Sequence, residues 1–550
     1  MLHARFRYAA PSRPRAVGLA TLSAAALAMA PLPTAGAQGI PRPRSATDTL
    51  SYVYVKGTDT VAIERIVRKP DGVRGELVVR NQPRIVWHQQ VGASNATGPF
   101  DLEVYAATAG AGASPLQSMT LRMASDSGFV DMHTNGATNT TQRLPVPAGA
   151  EWMWNSSVLH TDVLSSLARA RKEAHIIVVL AQGGTQIPIT ITAAGDTTIA
   201  NIAGNPARFV HDALGLKVAD LGGGMLVHRA TADEGKTLSK KIAVEKPSYA
   251  APSGAPYSAE DVSVKTAGGY ELAGTLTRPR GMPRVPVVVT ITGSGPQERD
   301  ERIPGVDGYA LFRDIADTLG RRGIAVMRVD DRGIGASTGL ETRAVATSAD
   351  YANDVRAVVM YLRTRKDIDT TRIALLGHSE GGMIAPMVAS QDQGIRAIVL
   401  LAGAAYGGRQ VMLFQNQDAV DHAPNLTKAQ RDSIMATVPA ALDSAGRAYP
   451  WLGFFMQHDP LKTARRVTQP TLILQGGTDH QVTPEQADSL EAAMKTAGNT
   501  DVTKRIFPDT DHLFLADPSG APGGYAGLPS KKVRREVLGA IADWLVVRLK

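Results

Sequence analysis

The chain has 550 residues, 43% of them hydrophobic and 20% charged, ordinary globular values that exclude a collagen-like or wholly disordered chain. That length is too great for one compact domain. Cysteine is absent, which excludes disulfide staples, thiolate metal sites, a cysteine nucleophile and a lipid-modified N-terminal cysteine, while a formal net charge of +8 raises the question of an acidic partner.

Arg5, Arg7, Arg13 and Arg15 precede an apolar run from Ala16 to Ala30, and no acid occurs before Asp48. The run is too short to span a bilayer comfortably. Ala35-Gly36-Ala37 then supplies a small-x-small site, so residues 1–37 read as a secretory signal peptide. Cleavage there removes four arginines and halves the formal charge. No basic run with interleaved aromatics remains, so nucleic acid is not an expected partner. No other apolar stretch is long enough to cross a membrane. The expectation is a mature protein without a transmembrane segment, in the periplasm or outside the cell.

Residues 38–245 carry a strand rhythm. Ser51 to Val55, Val61 to Val67, Gly75 to Arg80, Phe100 to Tyr105 and Met119 to Met123 are short β-branched or alternating runs between Gly, Asn, Pro and Asp turn signals. One helical window, Val158 to Glu173, interrupts them before Ile176 to Leu180 resumes the pattern. Many short strands with one helix predict an antiparallel sheet curled into a sandwich or partial barrel. Residues 246–257, rich in Pro, Ser, Gly and Ala, read as a linker.

From residue 258 to 550 the rhythm changes. A hairpin (Val262 to Val264, Tyr270 to Thr277) is followed by the apolar strand Val285 to Ile291 and a helix from Tyr309 to Gly320. Strand Ile324 to Val329, helix Ala349 to Arg363, strand Ile373 to Leu376 and a helix from Gly381 follow. Strands Ala397 to Leu401, Thr471 to Leu474 and Arg505 to Phe507 and the helix Lys531 to Leu549 complete the half. Apolar strands alternating with amphipathic helices predict a mostly parallel sheet covered on both faces. The rhythm breaks over about 403–467, some 65 residues where a bare connection needs under a dozen, so a helical cap is expected there.

Two segments match G-x-S-x-G, a pattern that places a serine on a sharp strand-to-helix turn. Gly377-His378-Ser379-Glu380-Gly381 has the strand Arg372 to Leu376 before it and a helix-forming run after it. Gly335-Ala336-Ser337-Thr338-Gly339 follows Asp330-Asp331-Arg332-Gly333 and precedes no helical periodicity, so Ser337 reads as loop structure. A serine hydroxyl needs a histidine to take its proton and a carboxylate to orient that histidine. Asp479 follows the strand Thr471 to Leu474, and His512 lies in the loop after the last strand. The rival bases are His378, inside the turn, His422 and His458, in the insertion, and His480, next to the acid; Asp509 and Asp511 read as capping or solvating their loop. The tetrahedral intermediate needs two backbone N–H donors. Glu380 supplies one and Ser294, in Thr292-Gly293-Ser294-Gly295-Pro296, the other, with Gly295 as the near alternative.

Gly293 to Glu301, Asp330 to Gly335, Gly377 to Gly382, Gly477-Thr478-Asp479 and Asp511-His512 together resemble the α/β-hydrolase superfamily. More narrowly they resemble bacterial secreted carboxylesterases of the serine-aminopeptidase-like or dienelactone-hydrolase-like kind. The resemblance covers about residues 260 to 550 and implies the triad Ser379, Asp479 and His512. It departs from the common pattern at Thr292-Gly293, where many relatives have His-Gly. It also implies bracing roles for Arg299, Asp300 and Arg332. The first 250 residues carry no secure resemblance.

The expected activity is cleavage of small acyl esters through an acyl-enzyme on Ser379. A serine peptidase of aminopeptidase or prolyl-oligopeptidase type is the alternative, with Asp418, Asp421 and Asp459 as candidate holders of a substrate amine. A binding protein with a degenerate hydrolase is the second alternative. The apolar cap residues Met412, Leu413, Phe414, Met435, Trp451, Leu452, Phe454, Phe455 and Met456 serve cap packing or line an acyl pocket. Trp87, Trp152 and Trp154 belong to the N-terminal core or stack on a sugar or lipid. No metal is required and no cofactor is implied: His88, His133 and His160 are isolated, and no phosphate loop or dinucleotide fingerprint occurs.

Overall fold

The computed structural model describes residues 48–549, apart from short stretches of which 106–113 and 239–247 are the longest. The expected leader, residues 1–37, lies outside the described residues, as do Lys246 and Pro247 of the expected linker. The chain divides into two compact units, with the boundary between Pro247 and Ser248.

In the N-terminal unit, eight strands from Asp48–Lys56 to Thr140–Pro145 run as one antiparallel meander. The chain then crosses to the far edge as Glu151–Met153, passes through the helix Val158–Arg171, and meanders back from His175–Leu180 to Met225–Ala230. That last strand pairs with the first, so both meanders form one fifteen-stranded sheet. The sheet is strongly curled. A Cβ on Gly128, in the strand next to one edge, would lie 2.9 Å from the ring of Trp152, on the strand at the opposite edge. The helix packs on the inner face, where Tyr52, Trp87, Phe100, Trp152 and Phe209 form the core. Trp87, Trp152 and Trp154 are 0%, 1% and 7% exposed, so they are core residues, and stacking on a sugar or lipid is excluded.

Glu64 sits inside this core. Its Oε1 accepts from Trp87 Nε1 at 2.8 Å and Ser157 Oγ at 2.5 Å, and its Oε2 from the Tyr54 hydroxyl. Burial pushes its pKa up, and these three donors pull against that. Ser157 also caps the helix, accepting from His160 N at 2.9 Å. His160 is buried and stacked on Phe100, and burial lowers its pKa to about 3, so it is neutral.

The C-terminal unit, Ser248–Lys550, contains an eight-stranded sheet. In spatial order the strands are Tyr257–Lys265, Glu271–Pro279, Ala325–Val329, Val285–Ile291, Ile368–His378, Ile395–Leu401, Thr471–Gly476 and Val502–Phe507. The first two form a hairpin joined antiparallel to a parallel set of six. Every residue of Val285–Ile291 is buried. Val287, Val289 and Ile291 enter the core on one face and Val288 the core on the other, as period-two alternation requires. Helices cover both faces, and each large apolar side chain so buried contributes about 1.5–3 kcal/mol. Chain order reverses at the two central strands, Val285–Ile291 and Ile368–His378, and such a switch point leaves a crevice at the strands' carboxyl ends. Between Leu401 and Thr471 four helices stand where the insertion was expected: Gly408–Asp421, Lys428–Ala448, Pro450–Gln457 and Pro460–Ala464.

Candidate active site

Ser379 occupies the single step between strand Ile368–His378 and helix Glu380–Ala389, with φ +53° and ψ −117°. Positive φ is costly for a residue with a Cβ and persists only where its surroundings enforce it. They do so here. Ser379 N donates to Leu401 O at 2.9 Å, and a Cβ at Gly377 would lie 2.0 Å from the Gly381 carbonyl oxygen. A Cβ at Gly381 would lie 2.1 Å from Ile291 O, so only glycine lets the helix start against the neighbouring strand. The helix N-terminus directs its partial positive charge at the serine.

Asp479 follows the strand Thr471–Gly476 and is almost wholly buried. Its Oδ1 accepts from the backbone N–H groups of Gln481 at 2.7 Å and Val482 at 2.9 Å. Its Oδ2 accepts from Gln475 Nε2 at 2.9 Å and stands 2.8 Å from His512 Nδ1. These donors fix the carboxylate, and the carboxylate sets the Nδ1–H tautomer of His512, which leaves Nε2 as the basic nitrogen. Acid and histidine are therefore joined. Among the described residues Ser379 Oγ makes no hydrogen bond to His512; the contact with His512 is made by the ring of His378, the residue before Ser379. That ring lies 4.9 Å from the His512 ring and donates from Nε2 to the His512 carbonyl at 2.9 Å.

His378 is a brace the sequence did not reveal. Its Nδ1 lies 3.0 Å from Glu301 Oε1, which also accepts from Gly293 N at 2.6 Å. One carboxylate oxygen thus ties the loop after Val285–Ile291 to the residue before Ser379 and, through His378, to the backbone of His512. Burial opposes charge on His378, but the charge and hydrogen bond of Glu301 outweigh it and raise its pKa. Gly293 N–H is therefore occupied, whereas the backbone N–H groups of Ser294 and Glu380 donate to no group among the described residues. Gly293, Gly295 and Glu380 line one hollow with Thr292, Asp331 and Tyr351. Thr292 Oγ1 donates to Asp331 Oδ1 at 2.9 Å, and Gln297 N donates to Oδ2 at 2.9 Å. Burial holds the Asp331 carboxyl well above the usual range.

Ser337 is taken up by its loop. It donates to Asp330 O at 2.9 Å and accepts from Ala273 N at 2.8 Å. Arg299 binds Asp330 through Nε at 3.0 Å and Nη2 at 2.7 Å, Arg332 binds Asp354 at 2.9 Å, and Asp300 pairs with Arg328 and Arg302. Asp511 is buried and accepts from Leu515 N at 2.8 Å, so it braces its loop from within, and burial pushes its pKa up to about 7. Asp418 faces His480 at 2.8 Å, Asp421 accepts from Gln417, and Asp459 caps a helix through Lys462 N. The cap meets the elbow twice. Trp451 Nε1 donates to Glu380 Oε1 at 2.9 Å, and Leu452 and Phe455 pack with Met383, on the helix that begins after Ser379. Phe414 remains 39% exposed.

Comparison with known proteins finds similarity over part of the chain. A family model described as serine aminopeptidase, S33, matches residues 305–438, and the dienelactone hydrolase family matches residues 432–537. Esterase EstD of Thermotoga maritima is 29% identical over 316 residues, 56% of this chain and 71% of that protein. The uncharacterized peptidase YuxL of Bacillus subtilis is 24% identical over 292 residues, 52% of this chain and 38% of that protein. The solved structure of the Pyrococcus furiosus esterase Pf2001 is 18% identical with a TM-score of 0.39, over 55% of this chain and 96% of that one. A parallel sheet with a glycine-flanked serine elbow at its switch point, matched in part by these family models, gives the C-terminal unit an α/β-hydrolase fold, and the chain is similar in sequence to an esterase and to serine peptidases.

Proposed function

We propose that the chain is a carboxylesterase that cleaves small acyl esters through an acyl-enzyme on Ser379, with Asp479 and His512 completing the triad. The carrying observation is the enforced positive φ of Ser379 at the start of a helix, in a unit where Asp479 already holds His512 by its Nδ1. His512 Nε2 takes the hydroxyl proton as Ser379 Oγ attacks the ester carbonyl. The oxyanion accepts from the free N–H groups of Ser294 and Glu380, and the leaving alcohol takes the proton from His512. Water then repeats the sequence to release the acid. The apolar cluster of Met383, Leu452 and Phe455 supports an acyl pocket beside the elbow. The similarity to an esterase of Thermotoga maritima supports the ester class. The basic and apolar leader supports export.

A serine peptidase remains the second reading, favoured by the match of residues 305–438 to the serine aminopeptidase family model. Against it, the three cap acids that could hold an amine are each engaged by the protein itself. The test compares kcat/KM for p-nitrophenyl butyrate with that for aminoacyl p-nitroanilides, with Ser379→Ala as the blank. The expected result is ester turnover with negligible amide cleavage, lost by roughly 10⁴–10⁶ in the variant. Efficient amide cleavage would replace the ester reading by the peptidase one.

A further inference from the structure

We propose that Asp418, His422 and His480 form a site for one divalent transition-metal ion of the Zn²⁺ kind, which fastens the first cap helix to the loop carrying Asp479. Asp418 lies in the last turn of helix Gly408–Asp421 and His422 at its C-cap, a spacing of four that places both on one face. His480 comes from the loop after strand Thr471–Gly476. Three ligand atoms converge there. Asp418 Oδ1 is 2.8 Å from His480 Nδ1 and 3.3 Å from His422 Nδ1, and all three lie within 4.8 Å of one another.

Ligand atoms around a tetrahedral Zn²⁺ with bonds of about 2.0–2.1 Å are spaced by about 3.4 Å. The two separations from Asp418 Oδ1, 2.8 and 3.3 Å, fall just short of that spacing, so small side-chain rotations suffice to admit the ion. The two imidazoles stand edge to face, with centroids 5.6 Å apart and planes at 75°. His422 Nδ1 also contacts the Asp418 carbonyl at 2.9 Å, a bond the metal would replace, with the ring proton carried on Nε2. Two imidazole nitrogens and one carboxylate oxygen favour Zn²⁺ and its transition-metal neighbours over Mg²⁺ or Ca²⁺. The His422 side chain is 63% exposed, which gives the ion a path in and leaves room for a water ligand.

A neighbouring contact bridges the same two elements: Gln415 Nε2 donates to Gln481 O at 3.0 Å. Gln481 N in turn donates to Asp479 Oδ1. An ion at His480 therefore restrains the cap helix against the turn that holds Asp479. The metal site stands on its own donor set, and its binding test does not depend on the role of Ser379.

Chelator-stripped protein is titrated with Zn²⁺ by calorimetry, alongside His422→Ala, His422→Gln and a parallel Mg²⁺ titration. The expected result is one equivalent of Zn²⁺ on the parent chain, no Mg²⁺ binding, and affinity roughly 100-fold weaker in either variant. Zn²⁺ should also raise the Tm of the parent but not of the variants, whose metal-free Tm stays at the parent value because His422 is exposed. The absence of a stoichiometric site on the parent, or equal Zn²⁺ affinity in parent and both variants, would overturn the assignment.

Discussion

The two units each bury a carboxylate among polar partners, and they use it in opposite ways. In the N-terminal unit, Glu64 has both oxygens taken by Tyr54, Trp87 and Ser157, groups that close the core and cap its helix. In the C-terminal unit, Asp479 and Glu301 are equally buried, but each holds a histidine, and the serine between them keeps its hydroxyl and the nearby N–H donors free. A carboxylate with both oxygens spent on the core makes structure; carboxylates that each hold a histidine beside a serine with a free hydroxyl make a site. The cost of enforcing Ser379 at positive φ falls on the surrounding glycines and strands, which is where a fold stores strain for later use.

The contrast is broken most sharply at the acid. Asp479→Asn should keep the fold but present His512 with the wrong tautomer, lowering kcat by roughly 10⁴, read in ester turnover at unchanged Tm. A loss of less than tenfold would mean that Asp479 is a structural acid like Glu64.

Asp511 sharpens the same contrast through pH. Its folded-state pKa of about 7 lies above the ordinary carboxylate value because of burial. A group raised in this way favours the folded state in its protonated form. The contribution is fully present below the unfolded pKa, near 4, and is lost as pH rises through about 7. Relative to wild type, Asp511→Asn should therefore become progressively more stable from about pH 4 to about pH 7, by up to about 4 kcal/mol, and the difference should be constant above that. Urea unfolding at several pH values reads the difference, and parallel curves would show that Asp511 does not titrate there.

Glu64→Leu should destabilise the protein by about 3 kcal/mol, since the Tyr54, Trp87 and Ser157 donors lose their acceptor in a dry core. The expected kcat of the folded fraction is that of wild type. Glu301→Gln should do the reverse. It keeps one acceptor for Gly293 N but loses the charge that holds His378, so kcat falls about tenfold, about 1.4 kcal/mol, with KM and Tm little changed. If the two variants behaved alike, the distinction between a closing and a positioning carboxylate would fail.

The two units also differ in how much of them is legible in sequence. The C-terminal strands and helices follow from apolar runs and helical spacing, and the elbow from a serine set between a strand, a helix and glycines that nothing else explains. Ser337 fits the same pattern, yet its flanks give no strand-to-helix step, and its hydroxyl is spent on Asp330 and Ala273. The Glu301–His378 brace is not legible, because its partners lie 77 residues apart and neither belongs to a local motif. In the N-terminal unit, alternation reveals individual strands such as Ser51 to Val55. It cannot reveal that the sheet curls until Gly128 meets Trp152, since that depends on the sum of many small twists. For the same reason Trp87 and Trp152 look available to a ligand in sequence and are sealed in the core. Asp418 and His422 carry a visible spacing of four, but His480 reaches them only through the packing of the cap.

The most direct test of the central claim is covalent trapping. The full chain is treated with a fluorophosphonate, digested, and its modified peptide sequenced by mass spectrometry. The account predicts one adduct, on Ser379, formed in step with loss of ester turnover, while Ser337 stays unmodified. An adduct on Ser337 or another residue, or full modification of Ser379 with turnover intact, would contradict it.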